Sequence, residues 1–189
     1  MYLRECRSFF AITFFLLLAT NVVASETQNS GVSGDWSYFI SSDACWAASA
    51  RLPEQSKHSR NGKSVEDSSV NRGKGPVLYV SYFKNLPQET KLQVSFWGGN
   101  FEFETEGKKV DEFEINIKGT VFKLKPHNSA DGAYAFSLGS DADSKIISSM
   151  KAGADAAIKS VSKRGTVSVD VFSLMGLTKA IDEIQKACK

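Results

Sequence analysis

Polar and apolar residues alternate with a period of two over much of the chain, the mark of strands with one buried face. Residues 36–40 and 44–50 predict two short strands, with Ser41-Ser42-Asp43 as the turn between them. Residues 77–83 carry apolar side chains on both faces, which suits a central strand of a sandwich. Leu92, Val94 and Phe96 alternate with Gln93, Ser95 and Trp97, and the run stops at Gly98-Gly99. Phe101 and Phe103 share one face and Glu102 and Glu104 the other; Phe113, Ile115 and Ile117 continue the alternation, as do 121–124 and 134–138. Two more strands are expected at 156–162 and 166–174. In the second of these, Val167, Val169 and Val171 point one way; Thr166, Ser168 and Asp170 point the other and are expected to face outward.

The period changes twice. Ile146, Ile147 and Met150 have helical spacing and predict a short helix over 141–151 that ends at Gly153. After Gly176, Leu177, Ala180, Ile181, Ile184 and Cys188 fall on one stripe of an amphipathic helix. Lys163-Arg164-Gly165 between two strands fits a three-residue hairpin loop with Gly165 at the left-handed position. Many short strands, polar turns and few helices favour a β-sandwich over a βαβ arrangement.

The ends change the picture. Arg4 and Arg7 precede an apolar run at 9–19, and Val22-Val23-Ala24 offers small residues before Ser25, so 1–24 is expected to be a signal peptide. The run is shorter than the roughly 18–20 residues that span a bilayer. Residues 25–34 are small and polar and predict a flexible N-terminus, leaving 35–189 as a single domain. Residues 53–75 are almost entirely polar and are expected to be a loop insertion on the surface.

Cleavage would lower the formal charge of +2 by one, through loss of Arg4, Arg7 and Glu5. No basic block then remains for nucleic-acid binding by phosphate neutralisation. Cys6 would leave too, and Cys45 and Cys188 would be the remaining pair. In an oxidising compartment such a pair is most simply a disulfide; the other reading is two unrelated buried thiols.

Motifs for catalysis are weak. His58 and His127 lack metal-ligand spacing, and neither HExxH nor clustered cysteines occur. Gly31-Val32-Ser33-Gly34-Asp35 misses the nucleophile elbow at its last position. Asn61-Gly62-Lys63-Ser64 resembles the end of a phosphate loop, but Lys57 stands where the first glycine must be. Asp141 and Asp143 begin like a calcium loop that Lys145 and Ile146 break. No enzyme activity, metal or cofactor is expected. Ser173 sits where a strand hands over to the last helix, which turn formation explains. Trp97, on the polar face of its strand, is a candidate exposed contact for a sugar or protein, and Arg164 at the hairpin tip is a second.

Ser162, Arg164-Gly165-Thr166, Asp170, Ser173-Leu174, Gly176, Ala180 and Ala187-Cys188 together resemble the invasion-associated locus B family of exported alphaproteobacterial proteins. Cys45-Trp46 and Met150-Lys151-Ala152-Gly153 also fit that pattern, whereas 53–75 looks like an insertion relative to a typical member. The resemblance implies an immunoglobulin-like β-sandwich, mainly β, with a short helix before the last hairpin and a C-terminal amphipathic helix. It also implies a periplasmic, secreted or outer-membrane-associated protein linked to host invasion, and it supplies no catalytic residues. The function expected is binding of a protein or cell-surface partner; the alternative is a small-ligand or carbohydrate module built on Trp97.

Overall fold

The computed structural model describes residues 29–70, 72, 75–87, 91–99, 113–129 and 132–189. Its elements in chain order are β1 (Asn29–Ser33), β2 (Trp36–Ile40), β3 (Ala44–Ala50), β4 (Lys57–Arg60), β5 (Lys63–Ser64), β6 (Val77–Phe83) and β7 (Leu92–Trp97). There follow β8 (Phe113–Ile117), β9 (Thr120–Ser129), β10 (Gly132–Ser137), α1 (Ser140–Ala152), β11 (Asp155–Val161), β12 (Thr166–Ser173) and α2 (Leu177–Ala187). The strands form one antiparallel sheet in the order β1-β2-β3-β6-β7-β10-β9-β8-β11-β12-β4-β5. The helix expected over 141–151 is α1, whereas the Phe101/Phe103 pair and the signal peptide fall outside the described residues.

That sheet folds over on itself. Phe96 of β7 and Phe172 of β12 lie five places apart in the strand order, yet their rings meet edge to face at 6.0 Å. Arg51, just past β3, makes a bridge to Phe172, and the Leu52 amide donates to the Val171 carbonyl at 2.7 Å. The inward side chains of the two layers, including Trp36, Phe96, Phe113, Ile115 and Phe172, make one buried core. Helix α2 lies across β1–β3 and β6, and α1 across β7 and β10. The stripe expected on α2 is the one that is buried: Leu177, Ala180, Ile181 and Ile184. Each of its large aliphatic side chains contributes about 1.5–3 kcal/mol by leaving water.

Two sequence expectations change. Residues 29–33 form β1 and pair with β2 rather than trailing loosely. The cause lies at the following turn: the Asp35 amide donates to the Met175 carbonyl at 2.9 Å, and the Ser173 hydroxyl donates to the Asp35 carboxylate. The polar stretch 53–75 likewise contributes strands to the sheet through its described residues, because β4 pairs with β12 and β5 pairs with β4. It buries His58 and Val70, and Arg72 with them.

A buried Asp also fixes α1. The Val94 amide donates to the Asp143 carboxylate at 2.6 Å, and the Ser137 hydroxyl donates to the same oxygen. One side chain in the first turn of α1 thereby ties the helix to β7 and β10.

Candidate functional site

The inward face of β12 is polar. Thr166, Ser168 and Asp170 are 2%, 1% and 0% exposed, so the outward orientation expected for them is reversed. Val167, Val169 and Val171 are the half-buried residues of the other face. Valine on the outer side and serine and aspartate within is the inverse of the usual sandwich pattern. It is stable only because the 51–72 segment brings polar partners to the inner face.

Those partners make a chain of alternating charge. Arg72 Nη1 lies 2.8 Å from Asp170 Oδ2, and Arg51 Nη1 lies 3.9 Å from Asp170 Oδ1. Arg51 also forks onto Asp67, at 2.5 and 2.7 Å. Burial pushes the Asp170 carboxyl up against the pull of Arg72, and pushes the Arg72 guanidinium down. The hydrogen bond from Arg51 holds Asp67 below the usual carboxylate range and lifts Arg51 itself.

His58 completes the chain: its Nδ1 is 2.9 Å from Ser168 Oγ and its Nε2 is 2.9 Å from Asp67 Oδ1. The three side-chain types match a hydrolytic triad, but their placement does not. The serine is shut inside the protein, whereas the Asp67 side chain is 43% exposed. Acyl transfer needs the nucleophile at a substrate cleft and the acid behind the histidine. Here the order is turned round, and the network serves to satisfy a buried polar face.

His58 and Asp67, but not Ser168, also line a cleft of about 540 Å³, together with Pro53, Lys57, Glu66, Val167 and others. At one end of the cleft two hairpin tips meet. Thr166 pairs with Arg60, and Arg60 pairs with Lys63, so the 163–165 loop stands beside the Asn61-Gly62 turn. The Arg60 Nε donates to Thr166 Oγ1 at 2.8 Å. Arg164 is exposed at the first tip, Lys63 at the second, and Arg60 is half-buried between them. Arg60 and Lys63 thus share one end of the sheet with Arg164, about 100 positions further along the chain. The 163–165 loop is the expected three-residue hairpin, with Gly165 at φ +73° and its amide donating to the Ser162 carbonyl at 2.7 Å.

Sequence reasoning found Arg164 but not its neighbours. It also missed His58, Asp67, Ser168, Arg51 and Arg72, because 57–60 contains no apolar residue from which a strand can be read. One signal was available: Asn61-Gly62, weighed only as part of a failed phosphate-loop match, is the two-residue hairpin turn that the pair commonly makes. Both residues have positive φ there.

Trp97 is half-buried rather than laid open, and its indole nitrogen is buried with no hydrogen-bond partner among the described residues. Its backbone pairs with Val77 and Tyr134. Phe101 and Phe103, the aromatics proposed beside it, lie outside the described residues. Ser173 acts in a turn as expected, accepting from the Met175 amide at 3.2 Å. Cys45 and Cys188 form a disulfide with Cα atoms 6.3 Å apart, pinning the end of α2 to β3. Among the described residues no group of three or more His, Cys, Asp or Glu is placed to hold a metal ion, and no helix is long and apolar enough to cross a membrane.

No protein-family model matches the sequence, and no curated protein matches it. The fold does have a counterpart. The crystal structure of invasion-associated protein B from Bartonella henselae superposes with a TM-score of 0.55, covering 84% of this chain and 96% of that one at 10% identity. The chain has the fold of invasion-associated protein B. At this identity the likeness is one of architecture: a mainly-β sandwich with two helices, one of them C-terminal. The disulfide and the helix it pins are read from this invasion-associated-protein-B-like chain itself.

Proposed function

We propose that this is an exported, non-enzymatic protein of the bacterial envelope or surface that binds an acidic protein or cell-surface partner. The contact is the sheet end where the β4–β5 and β11–β12 hairpins meet. The observation that carries this is the register of β12 on β4, which sets Arg60, Lys63 and Arg164 side by side. A rim of cations on an otherwise near-neutral molecule steers and orients an acidic partner. The disulfide and the signal-like residues 1–24 support export into an oxidising compartment. The reversed exposure of Ser168 and Asp67 supports a binding role over a hydrolytic one. The neighbour's name, invasion-associated protein B, supports action towards a host cell.

Affinity capture from envelope and host-membrane extracts tests the reading, with the wild type compared against the Arg60→Glu/Lys63→Glu/Arg164→Glu triple variant. The expected result is a partner held by the wild type, released by salt and lost by the variant. Arg60→Glu also breaks the bond to the buried Thr166 hydroxyl, so the Lys63→Glu/Arg164→Glu double variant, which keeps that bond, is the one whose unfolding temperature should stay near that of the wild type. Capture unaffected by the three reversals, or no enriched protein at all, overturns it.

A further inference from the structure

A second cleft lies between the two helices. It encloses about 280 Å³ and is lined by Tyr82 of β6, Lys91 and Leu92 at the start of β7, Ser144, Ile147, Ser148 and Lys151 of α1, and Gln185 of α2. That volume corresponds to about nine water molecules at ~30 Å³ each. Ser144, Ile147, Ser148 and Lys151 recur three and four residues apart, so α1 turns one face into it. The described lining holds two ammonium groups and no carboxylate. Asp182, which is not among the lining residues, pairs with Lys151, its Oδ1 3.9 Å from the Lys151 Nζ.

Tyr82 makes this more than a gap between helices. It is 1% exposed, and its hydroxyl has no hydrogen-bond partner among the described residues. Buried polar groups are nearly always satisfied, so a hydroxyl left over on a residue that lines a cleft marks the place of a partner. Lys91 Nζ stands 5.5 Å from the Tyr82 ring centroid, which holds one cation close to that hydroxyl's ring. We propose that this cleft binds a small organic oxyanion, with Lys91 and Lys151 on its charge, the Ser144, Ser148 and Tyr82 hydroxyls donating to it, and Leu92 and Ile147 against its apolar part. This site goes beyond the cationic sheet end and stands or falls independently of it. Carboxylates and phosphate or sulfate esters share the required chemistry.

Titration of the isotope-labelled, disulfide-intact protein with benzoate, phenyl phosphate and phenyl sulfate separates those sources, and benzyl alcohol serves as the neutral control. Saturable amide shifts at Tyr82, Leu92, Ile147 and Ser148 are expected for at least one anion and not for the alcohol. Lys91→Gln and Lys151→Gln should each weaken that anion about tenfold. Tyr82→Phe should weaken it while leaving the ligand-free unfolding temperature unchanged or higher, an outcome that a purely structural tyrosine would not give. The proposal is overturned by equal binding of benzyl alcohol, by undiminished affinity in the Lys91→Gln/Lys151→Gln double variant, or by no saturable shift with any of the three anions.

Discussion

Arg72 and Asp170 form an ion pair at 2.8 Å with side chains only 2% and 0% exposed. They join the two segments that sequence reasoning kept apart, the polar 53–75 stretch and the strand at 166–174. A buried pair of this kind is costly to break from one side, because the surviving charge keeps its desolvation penalty and loses its partner. Asp170→Ala should therefore destabilise the fold by about 3–5 kcal/mol. Replacing both, as Arg72→Met with Asp170→Leu, should recover most of that loss. Denaturant unfolding of the wild type and the two variants checks it, and equal losses in the single and double variants would count against the pairing.

The disulfide closes a loop of 143 residues. In the chain-entropy model, a cross-link of that span restrains the unfolded state by about 4–5 kcal/mol. The Cys45→Ser/Cys188→Ser variant should lose stability of that order, and reductant should bring the wild type down to the same level. Mass mapping without reductant should recover the two cysteines in one linked peptide.

Two carboxylates predict opposite pH trends. Desolvation raises the Asp143 carboxyl in the folded protein, against hydrogen bonds from Ser137 and Val94. Its contribution is present below the unfolded carboxyl pKa and is lost as pH rises through the higher folded value. Asp143→Asn, which keeps an accepting oxygen, should gain on the wild type between acid and neutral pH. Asp67, lowered chiefly by Arg51, behaves the other way: its contribution is present at neutral pH and lost as pH falls through the depressed folded value. The Asp67→Asn deficit should accordingly be largest near neutrality and vanish in acid. Stability-versus-pH curves of the two variants test both signs.

Gly176, ahead of α2, has φ +92°, and a Cβ there would lie 1.8 Å from the Ser33 carbonyl oxygen. Gly176→Ala must push β1 away from the β12–α2 junction or strain the turn, at a cost of about 1–3 kcal/mol or more. Hydrogen exchange should show the loss concentrated in the amides of β1 and the 34–36 turn.

The strands at 77–83, 92–97, 113–117 and 166–173, and both helices, were legible because each buries an apolar face whose period survives in the sequence. β4 was not, because Lys57, His58, Ser59 and Arg60 give no apolar period and the strand is held by pairing to β12. For the same reason the inner face of β12 was assigned the wrong way round. Local pattern places valine inside, and only the partners Arg72, His58 and Arg51, up to about 120 residues away, make serine and aspartate the buried set. Trp97 was readable as a strand residue but not as a half-buried one, since its cover depends on how β7 sits between β6 and β10. Gly176 and Ser173 were seen as a turn, while their grip on Ser33 and Asp35 was invisible because it spans the length of the domain.

Those grips impose an order in time. Trp36 donates to the Ser173 carbonyl 137 positions later, and Cys45 waits for Cys188. Contacts so distant in sequence must pay for loop closure before they return any stability, which makes assembly slow. During synthesis β3 can pair with β6 early, but the ties from β1–β3 to the end of β12 and to α2 cannot form until the last helix has left the ribosome. The fold is therefore closed from its far end, and the final residues are what fasten the first ones.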